Sequence, residues 1–193
     1  AYTYVRTGER GTRGFVVGVG DTLLLFQRFN DFVPYGYLIV RLPSIHEVDS
    51  DGPDLRFFGS MMAAEGLSPA RPDFIVPLDS LQAALRSIQQ RGILVELQQE
   101  NFDGEWGVEV GRLLDVYEQH TVLQLVSASG EWEDGECVLE TPAVWRVVLA
   151  TAYVEALQKY SGDPMTPRRH DRFRVRARSG LRESLQRALE LRA

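Results

Sequence analysis

Residues Leu38–Val48 have the sequence LIVRLPSIHEV, and residues Cys137–Val147 repeat its pattern 99 positions later as CVLETPAVWRV. Each copy has three apolar residues and a charge, and then a proline, a small residue and a β-branched residue. A proline cannot donate to a strand ladder, so the chain is expected to leave one strand, turn a corner and begin another. The repeat therefore predicts two related β units.

Length and composition limit the number of domains and the class of protein. The chain has 193 residues, of which 44% are hydrophobic, which is enough for one larger domain or two small ones, and the repeat favours two. No apolar run approaches the roughly 20 residues needed to span a bilayer, and the start lacks a signal-peptide pattern. A single cysteine, Cys137, excludes an internal disulfide. We expect a soluble, cytoplasmic protein.

Hydrophobic periodicity predicts about five short strands in each half, together with added helices. The clearest helix is Asp79–Arg91, where Asp79 and Gln82 suggest a capping box and Gly92 a stop. The proline-containing segment Leu67–Pro77 has the composition of a linker. The predicted division is a first barrel with a trailing helix at 1–67, a linker at 68–78, a second barrel with leading and trailing helices at 79–162, and an arginine-rich arm at 163–193.

A family resemblance follows from the order of the strand and turn residues. The first half contains a glycine, an aspartate, a leucine run and the corner proline, which the second half repeats: Gly14, Asp21, Leu23–Leu25 and Pro43, then Gly111, Asp115, Leu123 and Pro142. This order resembles that of the Sm and Sm-like proteins. The resemblance implies a mainly β fold with added helices (α+β), made of two tandem Sm-like or SH3-like five-stranded barrels and a C-terminal strand-helix arm.

The resemblance also bears on RNA binding. Sm-like proteins often bind RNA in rings, using an asparagine early in the third strand and a basic signature in the turn before the fifth. The corresponding turns here are Leu42–Ser44 and Thr141–Ala143, which carry no base-binding side chain. The family's RNA activity is therefore not implied by these turns.

The sequence contains no pattern typical of catalysis or of a bound cofactor. Cysteine pairs, HExxH, GxSxG and the glycine-lysine phosphate loop are all missing, and His46, His120 and His170 lie far apart. We therefore predict a protein that is not an enzyme and needs no cofactor or metal.

Equivalent positions of the two corners carry opposite charges. Arg41 corresponds to Glu140, and Glu47 corresponds to Arg146. If the two barrels meet edge to edge through a pseudo-twofold axis, these side chains could face one another and set the pairing between barrels. The alternative is that they are exposed strand residues with unrelated charges.

The C-terminal arm is basic, whereas the rest of the chain is acidic. From Ser161 onwards the net charge is +5, which leaves −11 for the preceding residues. Arginines alternate with apolar residues before an amphipathic helix at Leu181–Leu189. This arginine face is predicted either to dock on an acidic surface of the same chain or a second copy, or to contact nucleic acid or another acidic partner through Arg168, Arg169, Arg172, Arg174, Arg176 and Arg178.

Two functional hypotheses follow. The first is a non-enzymatic binding or scaffolding protein that forms homo-oligomers, or binds another protein, through strand edges or the Leu181–Leu189 helix. The second is a protein that binds RNA or single-stranded nucleic acid with the arginine face. Neither involves a membrane.

Overall fold

The computed structural model describes residues 1–7, 10–100, 106–163 and 173–176. Within these ranges the chain forms eleven strands, three α-helices and two single-turn 3₁₀ helices. In chain order they are β1 (Tyr2–Thr7), β2 (Arg10–Val19), β3 (Leu23–Asn30), β4 (Val33–Arg41), a 3₁₀ turn (Leu42–Ser44), β5 (Ile45–Asp49), α1 (Pro53–Ala64), α2 (Leu81–Arg91), β6 (Leu94–Glu100), β7 (Trp106–Val116), β8 (His120–Val126), β9 (Trp132–Glu140), a 3₁₀ turn (Thr141–Ala143), β10 (Val144–Leu149), α3 (Ala152–Tyr160) and β11 (Phe173–Arg176).

All eleven strands belong to one sheet, in the order β11-β9-β8-β7-β6-β10-β4-β3-β2-β1-β5. Strands β1–β5 form a first unit and strands β6–β10 form a second unit. In each unit the strands are linked in the same way: the first four are consecutive antiparallel neighbours, and the fifth pairs with the first. The prediction of a mainly β fold with added helices is therefore confirmed.

The strands form an open sheet, whereas the sequence led us to expect two closed barrels. Closure of the first unit would require β4 to pair with β5, but the second side of β4 pairs with β10. Similarly, β9 pairs with β11 rather than with β10. Because a strand has only two sides for backbone hydrogen bonds, each of these pairings takes the place of closure.

The two corners have the same structure. Pro43 and Pro142 each lie in the first turn of a 3₁₀ helix, where a missing N–H costs nothing. The residue before each proline donates its N–H to the chain just before the third strand of its unit: Leu42 to the Thr22 carbonyl at 2.9 Å and Thr141 to the Gln119 carbonyl at 3.1 Å. The corner predicted from the repeat is confirmed in both copies.

A close backbone approach also recurs in both units. A Cβ on Gly14 would lie 1.9 Å from the carbonyl oxygen of Gln27, and a Cβ on Gly111 would lie 2.3 Å from that of Gln124. Just beyond each glycine the register shifts, in the first unit between Val16 and Gly18 and in the second between Leu113 and Asp115. Such a bulge sharpens the twist of the strand, so both units bend at the same place.

The helix between the units, α2, has its N-cap one residue later than predicted. Ser80, rather than Asp79, accepts a hydrogen bond from the N–H of Ala83, at 3.1 Å. The helix ends at Gly92, whose left-handed backbone (φ 64°) suits a residue without a Cβ. Its apolar face includes Leu85 and Ile88, which are fully buried.

The largest hydrophobic core is shared by the two units. It joins residues of the first unit, such as Leu25 and Ile39, to residues of the second, such as Leu97 and Leu123. A smaller core on the opposite face of the sheet includes Phe26, and β10 contributes Val148 to it. The units therefore pack as one body. In the ranges that the structure describes, none of the helices has the length and apolar character needed to cross a membrane.

Candidate functional site

The two units meet along the β4–β10 pair, which we call the junction. Its register places Tyr37–Val40 antiparallel to Arg146–Leu149, with Ile39 opposite Val147 and Leu38 opposite Val148. These four apolar side chains are at most 1% exposed. The junction is therefore a continuous strand pair whose side chains enter the cores on both faces of the sheet.

The junction joins the units head to tail. Strand β10 is the second unit's counterpart of β5, and β9 is the counterpart of β4, since the corner repeat relates them by 99 positions. Hence the fourth strand of one unit pairs with the fifth strand of the other. A twofold arrangement would instead pair like strands with each other. A head-to-tail junction leaves one fifth strand, β5, and one fourth strand, β9, for other partners.

Strand β5 is one edge of the sheet, and its side chains are largely exposed. Val48 lies opposite Val5 of β1 and is 57% exposed, whereas its counterpart at the junction, Val147, is 0% exposed. Glu47 accepts a 2.8 Å hydrogen bond from Nε of Arg6 within its own unit. Among the described residues β5 pairs only with β1. An unpaired edge with an exposed β-branched residue is a ready site for strand addition.

Strand β9 is the counterpart of β4, and β11 covers its outer side. The register of the β11–β9 pair joins Phe173–Arg176 to the segment Glu136–Leu139, in parallel orientation. The counterparts of Glu136–Leu139 in the first unit are Tyr37–Val40, the residues of β4 that pair with β10 at the junction. The tail strand therefore occupies the same four positions as a neighbouring unit would.

The structure places the four predicted inter-barrel charges on different strands. Nη2 of Arg41 donates a 3.2 Å hydrogen bond across the junction to the Thr141 carbonyl, next to Glu140. Burial lowers the pKa of Arg41. The Arg41–Glu140 pairing remains a prediction. In the order of the sheet, four strands separate the β5 residue Glu47 from the β10 residue Arg146, and their pairing also remains a prediction.

The predicted arginine face lies mostly outside the described residues. Arg174 and Arg176 belong to β11, which confirms a strand in the arm. Arg168, Arg169, Arg172 and Arg178, together with the predicted helix Leu181–Leu189, fall outside the described ranges. Nucleic-acid binding by this face stays a prediction.

A polar patch flanks the junction on the face that carries Phe26 and Val148. Arg28 lies over the ring of Tyr35, 4.9 Å from its centre, and burial lowers the pKa of Arg28 against the opposing influence of Tyr35 and Glu96. Gln98 donates its side-chain N–H to Glu96. Arg28 thus contacts Tyr35 and Gln98 binds Glu96, although Nε of Arg28 is buried without a hydrogen-bond partner, and we assign these groups a structural role.

Two cavities lie along the linker. One, of about 520 Å³, separates the Arg71–Asp79 segment from β2, and the other, of about 390 Å³, lies between Phe74 and α3. In the described part of the chain, no three His, Cys, Asp or Glu residues are grouped to hold a metal ion. Neither cavity brings together side chains that suggest a reaction.

A buried hydroxyl pair and a histidine distinguish the second unit from the first. The hydroxyls of Thr121 and Thr141 are 2.8 Å apart, and Thr141 also donates to the Tyr117 carbonyl at 3.1 Å. His120 stacks on the ring of Tyr117, with 4.4 Å between the ring centres. Burial lowers the pKa of His120, and the nearby Asp115 opposes this effect.

Sequence reasoning missed Val48 and the β9 segment Glu136–Leu139 as interaction positions. The signal was present in the repeat, since Val48 aligns with Val147 and Glu136–Leu139 aligns with Tyr37–Val40. The sequence did not indicate that a strand of one unit, β4, pairs with a strand of the other, β10. Comparisons with protein families, with curated proteins and with solved structures found no match for this chain.

Proposed function

We propose that this chain is a non-enzymatic scaffold that associates with further copies of itself through the edges of its sheet. The observation that carries the proposal is the contrast between Val48 and Val147. The two valines occupy equivalent positions, yet one is 57% exposed at an open edge and the other is 0% exposed at the junction. Strand β5 therefore resembles the junction strand β10, but among the described residues no strand pairs with its outer side.

The backbone supports this reading of β5. In both units the fifth strand pairs with the first through a register shift at the same place, between Glu47 and Ile45 in β5 and between Arg146 and Val144 in β10. The two strands are therefore built alike, and β10 shows that this geometry accepts a neighbour on its outer side. A second copy can supply that neighbour.

The energy of such pairing is expected to be modest. Covering Val48 would contribute about 1 kcal/mol, and each new backbone hydrogen bond contributes about 1 kcal/mol net. Association also has to overcome the loss of translational and rotational freedom. The expected assembly is therefore reversible and dependent on concentration.

The two units of the sheet also support a proposal about the origin of this architecture. The two units share their strand order, their corner, their bulge and their close glycine approach, which supports two tandem Sm-like units opened to pair with one another. This duplication also explains why a chain with one internal junction carries the two complementary edges of a further one.

Sedimentation velocity of the full chain over a range of concentrations tests the proposal. We expect the wild type to form larger species as concentration rises, and Val48→Lys to abolish them, because a lysine at an edge strand opposes strand addition. Val19→Lys is the matched control, since Val19 is 64% exposed on β2, which has strands on both sides.

The control is expected to associate like the wild type. Equal association of Val48→Lys and the wild type would contradict the proposal, as would loss of association in both lysine variants. Circular dichroism of each variant establishes that the fold is retained.

A further inference from the structure

We propose that the outer side of β9, at Glu136–Leu139, is the surface on which β5 of a second copy pairs, and that β11 covers this surface in the single chain. This inference rests on the proposed self-association and names its interface. It assigns β11 the role of a competing strand, one that must leave before a second copy can bind.

Strand β11 pairs with the residues of β9 that are equivalent to the junction residues of β4. Tyr37–Val40 of β4 pair with β10 at the junction, and the four residues 99 positions later, Glu136–Leu139, pair with β11. An unrelated tail contact could fall anywhere along a strand of nine residues. Here it covers the same four positions that β4 uses for the junction.

The junction also fixes the register of the intermolecular pair. Val147 is opposite Ile39 and Val148 is opposite Leu38. The β5 equivalents of Val147 and Val148 are Val48 and Asp49, and the β9 equivalents of Ile39 and Leu38 are Val138 and Cys137. The junction register therefore places Val48 of one copy opposite Val138 of the next, and Asp49 opposite Cys137. The pair would be antiparallel, as the junction is.

The orientation of β11 makes it a replaceable neighbour. Among the described strands, β11–β9 is the one parallel pair, and it spans four residues. Parallel pairing is slightly less stable per residue than antiparallel pairing. An arriving β5 would exchange this short parallel contact for an antiparallel one, and it would cover Val48 in the same step.

The contact is heterologous, since each copy contributes a different edge. Every chain has one β5 and one β9, so pairing leaves the same two edges at the ends of the complex. Such contacts produce either a closed ring or an extending series. A symmetric contact between two β5 strands would stop at the dimer.

A mixing experiment with full-length chains tests the interface. Arg174→Pro and Val175→Pro together weaken β11, because adjacent N–H groups of a strand point to opposite sides and one of the two must face β9. Adding Val48→Lys to this double variant blocks its β5. We expect this triple variant to stay monomeric alone and to form a one-to-one complex with the wild type, whose β5 is intact.

The double proline variant alone should self-associate about ten- to hundredfold more tightly than the wild type, since the few hydrogen bonds of β11 no longer compete. The matched control carries alanines at both positions, which keep the N–H donors, and it should associate like the wild type. Thermal unfolding followed by circular dichroism verifies that the proline variants are folded.

A disulfide provides a second measurement that leaves β11 unchanged. Asp49→Cys would face the native Cys137 of the next copy, with about 5 Å between Cα atoms, a distance that a disulfide spans. Mild oxidation should give a ladder of cross-linked species that reducing agent reverses. Val48→Cys, whose side chain points to the other face of the strand, should give none.

The outcomes separate this inference from the function it rests on. If Val48→Lys abolishes association of the wild type but the proline variants and Asp49→Cys behave like their controls, self-association stands and the β9 interface is wrong. If neither the wild type nor the double proline variant associates, both proposals are wrong. A wild type that dimerises through two β5 strands and forms no complex with the triple variant would also overturn the interface.

Discussion

The two units of this protein share a backbone plan but differ in what covers their last strands. Val147 of β10 is buried in the core that the units share and has β4 beside it, whereas the equivalent residue Val48 lies on the edge strand β5 and is exposed. On the opposite sides, β4 is covered by a strand of the other unit and β9 by the short tail strand β11. The comparison shows that a unit's position in the sheet, rather than its own sequence pattern, decides which edges are available.

The largest effect is expected from placing the same charge at both equivalent valines. Val147→Lys would bury an unpaired ammonium group in the shared core, and we expect it to lower the free energy of unfolding by about 3–5 kcal/mol. Val48→Lys should change it by less than about 0.5 kcal/mol, because its side chain reaches solvent. Urea denaturation at a protein concentration where the chain is monomeric measures both. Equal losses would contradict the difference between the edges.

The next effect concerns the glycines that the units share. Gly14→Ala and Gly111→Ala should each destabilise the protein by about 2–3 kcal/mol, because the added Cβ would overlap a carbonyl oxygen of the next strand. Gly59→Ala is the control: its Cβ would lie 3.3 Å from the side chain of Tyr2, and a helical alanine is favoured over glycine. Thermal unfolding compares the three. A loss confined to one unit would show that only that unit needs the close approach.

A smaller effect is expected at the hydroxyl pair found only in the second unit. Thr141→Val would leave the Thr121 hydroxyl without its partner, at a cost of about 1–2 kcal/mol. Leu24 pairs with Val40 as Thr121 pairs with Leu139, and Leu42 aligns with Thr141, so the first unit has an apolar pair at these two positions. The double change Thr121→Val with Thr141→Val should therefore cost less than the two single changes together. Additive losses in a double-mutant cycle would contradict a shared hydrogen bond.

The smallest effect is a pH dependence confined to the second unit. Burial lowers the pKa of His120, so the unfolded chain binds its proton more readily than the folded chain. The stability that His120 contributes is therefore present above its unfolded pKa of about 6.5 and is lost as the pH falls below it. Leu23 pairs with Arg41 as His120 pairs with Glu140, so His120→Leu introduces the residue of the first unit, and the loss between about pH 7 and pH 5 should shrink.

Denaturation of the wild type and of His120→Leu at several pH values measures this difference. An unchanged pH profile in His120→Leu would assign the acid sensitivity to other groups.

Much of the fold within each unit could be predicted from the sequence. The apolar run, the charge and the proline at Pro43 and Pro142 indicated a corner between two strands, and both corners are 3₁₀ turns with the proline in the first turn. The apolar stripe of α2 and its stop at Gly92 were also predicted, although the cap proved to be Ser80. These features depend on residues close in the chain, whose steric and hydrogen-bonding limits act locally.

The sequence by itself determined that there are two related units and where each one turns. Only the tertiary structure decided that β4 pairs with β10, that β11 covers Glu136–Leu139 and that Val48 is left exposed. The physical reason is that almost every residue offers the same backbone N–H and C=O groups, so the sequence of a strand does not specify which other strand will pair with its edge. Which edges meet depends on how the shared core packs, and that in turn depends on residues about 100 positions apart.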